Sequence, residues 1–273
     1  MVKHPKIIVL DDDPTGSQTV HSCLLLLQWD VETLRAGLRD PSPLLFILTN
    51  TRANPPAVAA QITREVCQNL RTAVTDEAVQ DYLVVSRSDS TLRGHYPLET
   101  DIIAQELGPF DAHFLVPAFL EGGRITQESI HYVITQGKRI PVHQTEFAQD
   151  AVFGFDHSYL PDYVAEKTQG RIPASQVERF LGPVALERLL QLKDNQCVVV
   201  DAQVQADLDQ FAVQLLQATA QGKRFLFRSA ASLLTALAQL PPQPVPAEQV
   251  GQYRRSKQPG IFIVGSYVRK TTQ

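Results

Sequence analysis

Short, mostly apolar runs recur along this chain at Ile7–Leu10, Leu44–Leu48, Tyr82–Val85, His113–Val116, Cys197–Val200 and Arg224–Phe227. Runs of this length suit strands buried on both faces, the condition of a parallel sheet covered by helices. Helical spacing appears between them. After Pro55-Pro56, the positions Val58, Ile62, Val66, Leu70 and Ala73 share one helix face; later Leu208, Phe211, Ala212, Leu215 and Leu216 do the same, with Gly222 as the stop. Pro97 suits the first turn of a helix carrying Leu98, Ile102, Ile103 and Leu107, and Pro183 one carrying Leu186, Leu189 and Leu190. The alternation predicts an α/β fold: a three-layer, mostly parallel sheet with helices on both faces. Residues 120–180 break this rhythm and read as long functional loops with short elements at the sheet edge.

Pro241, Pro242, Pro244 and Pro246 mark a break. The expected organisation is an α/β domain over 1–240, a Pro-rich linker over 241–260, and the start of a second domain over 261–273, where a new strand, Ile261–Val264, runs into Gly265-Ser266. With 273 residues, 44% of them hydrophobic, the chain can bury a substantial core. Its net charge of −4 argues against a nucleic-acid partner. Cys23, Cys67 and Cys197 form no CxxC pair and read as reduced core thiols. The apolar run Cys23–Leu27 is far short of the roughly 20 residues of a membrane span, and no signal-peptide pattern opens the chain, so a cytoplasmic protein without membrane contact is expected. No HxH or HExxH spacing occurs among the histidines, and no metal site is expected. His113, inside a strand, reads as a core histidine.

Each of the first four strands ends in a polar cluster. Asp11-Asp12-Asp13-Pro14-Thr15-Gly16 follows the first and Thr49-Asn50-Thr51-Arg52 the second. Ser86 to His95, SRSDSTLRGH, follows the third; Pro117 to Thr126, with Gly122-Gly123-Arg124, follows the fourth. Strand C-termini of a parallel sheet share one edge, and ligands bind in the crevice outside it. The chemistry of these groups suits a small polyhydroxy acid. Arg52, Arg87, Arg93 and Arg124 offer planar forks for a carboxylate. Asp12, Asp13 and Asp89 would accept from sugar hydroxyls, and Thr15, Ser90, Thr91 and Thr126 would donate or accept. Gly16 and Gly94 would let backbone approach closely. His95 reads equally well as a ligand contact or as a clasp between loops.

Asp12-Asp13-Pro14-Thr15-Gly16 resembles the DDxTG motif of the four-carbon acid sugar kinases. SRSDSTLRGH is similar to that family's long signature, and PAFLEGGRIT at 117–126, with His131-Tyr132-Val133 behind it, to a third motif. Asp150 with Ser158, and Val200-Asp201-Ala202, match weaker positions. The resemblance implies a two-domain enzyme that phosphorylates threonate, erythronate or 3-oxo-tetronate with ATP and Mg²⁺, its N-terminal domain holding the acid. It makes Asp12 the first candidate for the general base and Asp89 the second. It makes Gly265 and Ser266 the first turn of the nucleotide-binding domain, most of which would lie beyond this chain. The chain alone would then bind a sugar acid without turnover, and a separate ATP-binding chain or a homo-oligomer would be its partner. The family pattern needs only Asp12 and Asp13, which leaves Asp11 incidental.

Two other readings compete. Asp11-Asp12-Asp13-Pro14-Thr15 also fits the DxDxT of haloacid-dehalogenase-like phosphohydrolases, with Asp11 as nucleophile, Asp13 as acid/base and Mg²⁺ between them. No GDxxxD-like motif follows, however, and this reading leaves SRSDSTLRGH without a role. The other is a non-catalytic sugar-acid-binding subunit.

Overall fold

A computed structural model describes residues 4–240 and 245–253. In chain order its strands are β1 (Lys6–Asp11), β2 (Leu24–Leu26), β3 (Leu44–Leu48), β4 (Tyr82–Arg87), β5 (Ala112–Val116), β6 (Arg124–Gln127), β7 (Ile130–Thr135), β8 (Lys138–Pro141), β9 (Glu178–Phe180), β10 (Gln196–Val200) and β11 (Phe225–Ser229). The helices are α1 (Val31–Arg39), α2 (Pro56–Asp76), α3 (Leu98–Leu107), α4 (Leu160–Lys167), α5 (Leu186–Gln191), α6 (Gln205–Ala220) and α7 (Ala231–Ala238). Eight strands form one sheet in the order β2-β3-β1-β4-β11-β5-β10-β9, and every pairing in it is parallel.

Alternation along the strands sends side chains to two cores. Ile8, Leu10, Leu45, Ile47, Val84 and Leu226 meet Leu34 of α1, Val66 and Leu70 of α2 and Ile103 of α3. On the other face Val9, Phe46, Val85, Phe114 and Phe227 meet Leu189 of α5, Leu208, Phe211 and Leu215 of α6, and Leu233 and Leu237 of α7. Phe114 lies at its centre, its ring 5.5 Å from that of Phe227 and 5.3 Å from that of Phe211. The three-layer α/β architecture read from the sequence is the one observed.

Helix α7 escapes a periodicity search because every residue in it except Thr235 is buried, so no polar face sets a period. The 120–180 stretch, expected as long loops with short elements at the sheet edge, holds a second sheet. β6, β7 and β8 form an antiparallel sheet, joined by the two-residue turns Glu128-Ser129 and Gln136-Gly137, all four residues at positive φ. Glu-Ser is not a sequence signature of such a turn. Here Asp201 supplies the missing support, its carboxylate accepting from the Glu128 and Ser129 amides. A third core, with Val142, Phe155, Leu160, Tyr163 and Val164, seats this region on Leu115 and Val199.

His113 is a core histidine, its Nδ1 3.0 Å from the Asn195 carbonyl. Beyond residue 240, Ala247–Tyr253 form a 3-10 segment. Gly265, Ser266 and the rest of the second-domain reading lie outside the described residues.

Candidate functional site

β3, β1, β4, β11 and β5 are consecutive in the sheet. The loops after them therefore open on one rim, as the sequence clusters require. From β1 the chain runs outward to β2 and β3, then returns to β4 on the other side, and a crevice between diverging connections is where α/β sheets bind ligands.

At this rim the charged side chains form a lattice linking loops remote in sequence. Asp12 accepts from Arg52 Nη2 at 2.5 Å and Nε at 3.1 Å, and from Ser88 Oγ at 2.5 Å. Asp13 meets Arg52 Nη1 at 2.5 Å and Arg87 Nη1 at 2.7 Å, and accepts from the Thr15 amide and hydroxyl. Arg87 also reaches Asp11 at 3.2 Å and Thr15 Oγ1 at 3.2 Å. Asp89 pairs with Arg93 at 2.7 Å, lies 4.0 Å from Arg52 and accepts from Thr91. Arg93 in turn stands 3.8 Å from Asp150 and 5.0 Å from the Phe147 ring centre. Arg124 donates to the Gly122 carbonyl and lies 5.9 Å from the Phe119 ring; among the described residues no carboxylate lies within 4.0 Å of it.

Electrostatics divides the carboxylates. Burial pushes Asp11 up to about 7 against the opposing charge of Arg87. Burial would also raise Asp89, but Arg52 and Arg93 outweigh it and hold it at about 2. In Asp13, too, burial is outweighed by the two guanidinium groups and Thr15, and its pKa is lowered. Burial lowers Arg124, with only partial compensation from Asp89. Glu99, buried, is pushed up to about 7, by burial first and then by the charge of Asp12.

Exposure sorts the remaining predicted residues. Asp12 is buried at 2% whereas the Asp13 side chain is 21% exposed. Thr126 is fully buried: its Oγ1 lies 2.9 Å from His131 Nδ1, and His131 Nε2 lies 2.7 Å from the Ser90 carbonyl. That carbonyl can only accept, so Nε2 carries the proton and Thr126 donates to Nδ1. Burial holds His131 neutral, its pKa lowered to about 4. Thr126 and Ser90 thus tie the small sheet to the 86–95 loop. His95 acts as a clasp between loops, its Nε2 facing the Thr51 and Asn54 carbonyls at 3.1 and 3.0 Å. A Cβ on Gly94, which has φ +123°, would stand 2.4 Å from Ser88 Oγ and 3.1 Å from Asp12 Oδ2. One on Gly16 would stand 2.2 Å from the Asp11 carboxylate.

Asp11 is not incidental. It is fully buried, in cross-strand register with Arg87, and forms the floor beneath that guanidinium. Glu99, Phe147 and Arg228 were not singled out in the sequence, and His131 was marked there only as part of the third motif, without a role. Glu99 carries no local motif, Phe147 lies in the aperiodic stretch, and Arg228 comes from a strand whose place between β4 and β5 no local pattern reveals.

Carboxylate oxygens of Asp11, Asp12 and Asp13 lie within 4.8 Å of one another, a spacing that would suit a cation. Arg87 Nη1 already stands 3.2, 3.7 and 2.7 Å from the three groups. The Mg²⁺ of the phosphohydrolase reading would have to displace a buried guanidinium, so this donor set does not fit it. Two grooves of about 440 and 490 Å³ lie at the opposite end of the sheet beside His4, Pro5 and Asp81 and contain none of the rim arginines.

The described residues thus form a three-layer α/β domain with arginines and carboxylates gathered at its strand ends. The chain belongs to the family described as the sugar-binding N-terminal domain, whose model matches residues 7–237. It is 29% identical over 218 residues to a D-erythronate kinase of Heliobacterium modesticaldum and 27% identical over 220 residues to a D-threonate kinase of Bordetella bronchiseptica, each match covering 76% of this chain. These alignments cover 47% and 49% of the two kinases, so the chain spans about half the length of the curated relatives it matches. A domain of unknown function from Bordetella bronchiseptica, solved with bound citrate as a domain-swapped dimer, superposes with a TM-score of 0.60 at 26% identity, covering 86% of this chain and 57% of that one. A putative tRNA synthase from Salmonella typhimurium, at 18% identity and a TM-score of 0.59 over 87% of this chain and 55% of that one, shares the fold.

Proposed function

We propose that this chain is the acid-binding part of an ATP-dependent kinase for four-carbon sugar acids of the threonate, erythronate or 3-oxo-tetronate type. The observation that carries the reading is the gathering of Arg52, Arg87, Arg93 and Arg124 with Asp12, Asp13 and Asp89 on one rim, and the kinase relatives agree with it. The substrate carboxylate docks on Arg93 and Arg124, and the hydroxyls meet Asp13, Thr15 and Thr91. General-base duty falls to Asp12, with Asp89 second. In the described structure each is held by arginine, so a substrate carboxylate that draws Arg52 or Arg93 to itself would free a lone pair for the hydroxyl proton. ATP with Mg²⁺ would supply the phosphoryl group. The described residues include no fitted site for them; Gly265 and Ser266, a separate chain or a second copy would provide it. The chain alone then binds acid without turnover, in the cytoplasm.

Thermal melts of the chain with D-erythronate, D-threonate, a 3-oxo-tetronate and citrate test the reading. At least one four-carbon acid raises the Tm by several degrees, as ligand linkage requires at concentrations well above Kd. A folded protein whose melting is unmoved by the whole panel would sink the proposal.

A further inference from the structure

β11 brings to the rim a cation that no motif marks. Arg228 is 3% exposed, and among the described residues no carboxylate pairs with it within 4.0 Å. Its Nη2 donates to the Arg93 carbonyl at 3.0 Å, and its guanidinium carbon lies 5.9 Å from the Tyr96 ring centre. Ser88 Oγ lies 3.1 Å from the same carbonyl, but it stands closer to Asp12, at 2.5 Å, and has one proton to give. Arg228 is therefore the donor that this carbonyl retains.

The backbone it holds is unusual. Leu92 and Gly94 flank Arg93 at φ +69° and +123°, and the Leu92 carbonyl accepts from Tyr163 Oη at 2.8 Å. A turn with two left-handed residues persists only where its surroundings impose it. This turn aims the Arg93 side chain at Asp89 and Phe147. Gly94 leaves room for the contact, since a Cβ there would stand 3.2 Å from Arg228 Nη2.

We infer that Arg228 is a positioning residue for acid binding: it fixes the Leu92–Gly94 turn and thereby the Arg93 fork, and it places a buried positive charge behind the crevice. The inference rests on the acid-binding reading above. A buried guanidinium without a carboxylate partner is costly to the fold, and a bound anion nearby offsets part of that cost.

Isothermal titration of the 273-residue chain with D-threonate or D-erythronate, whichever the unaltered chain binds, tests it. Arg228→Gln weakens binding about tenfold or more, as expected for losing a charge-assisted hydrogen bond. Arg228→Lys, which keeps the charge but loses the planar fork, weakens it less. In an Arg93→Lys background the further loss from Arg228→Gln shrinks to less than about threefold, because the two act through one group. Unchanged affinity in Arg228→Gln, or an equal loss in both backgrounds, overturns the inference. If Arg228→Gln does not fold, Arg228→Lys carries the same comparison. An unaltered chain that binds no acid strikes the acid-binding reading itself, whereas binding without this coupling strikes only the role of Arg228.

Discussion

Arg52 grips Asp12 through two nitrogens, Nη2 to Oδ1 at 2.5 Å and Nε to Oδ2 at 3.1 Å, and so fastens the loop after β3 to the loop after β1. Because Asp12 is 2% exposed, removing its bidentate partner leaves a buried carboxylate with only Ser88 and, at 3.7 Å, Arg87 beside it. Arg52→Ala is expected to lower the unfolding free energy by about 3 kcal/mol. Adding Asp12→Asn to it should cost less than the sum of the single changes, as read from urea denaturation of the four proteins.

Gly94 has both an exceptional φ and no room for a methyl group. Gly94→Ala should destabilise the chain by about 2 kcal/mol or more and abolish the Tm shift produced by sugar acids. Gly137 has φ +75° with nothing within 4 Å of a built Cβ. Gly137→Ala should therefore cost only about 1 kcal/mol and leave acid binding intact, which separates backbone strain from crowding against Ser88 and Asp12.

Glu99 predicts a pH dependence. Its pKa is raised from 4.5 to about 7 in the folded chain. The unfolded carboxyl thus loses its proton first, and stability from this group is complete below about pH 4.5 and lost as pH rises through 7. Glu99→Gln cannot ionise while Thr51 Oγ1, 2.5 Å from Glu99 Oε1, keeps an acceptor. Chemical denaturation at pH 5 and pH 8 should show the Gln variant losing less stability than the original chain over that interval, by on the order of 2 kcal/mol. Equal losses would show that Glu99 is already ionised in the fold.

Arg124 separates binding from stability. Its guanidinium has no carboxylate within 4.0 Å among the described residues, unlike Arg52, Arg87 and Arg93. Arg124→Gln should change stability by less than about 1 kcal/mol. It should still weaken acid binding about tenfold, because a bidentate donor to the ligand carboxylate is lost. Titration calorimetry beside a urea melt distinguishes this from a structural role.

Local patterns in the sequence determined the strand-and-helix alternation, the buried strands β1, β3, β4, β5, β10 and β11 and the polar clusters of residues 12–16, 49–52, 86–95 and 117–126. Each depends on neighbours within a few residues, and apolar runs and spacing report those directly. Tertiary structure alone decided that Asp11 lies beneath Arg87, that Thr126 serves His131 and that Glu128-Ser129 turn under Asp201. It alone placed β11 between β4 and β5, bringing Arg228 to Arg93. Those pairings join residues far apart in the chain, and their energies come from burial and charge neutralisation that exist only once the sheet has set its strand order.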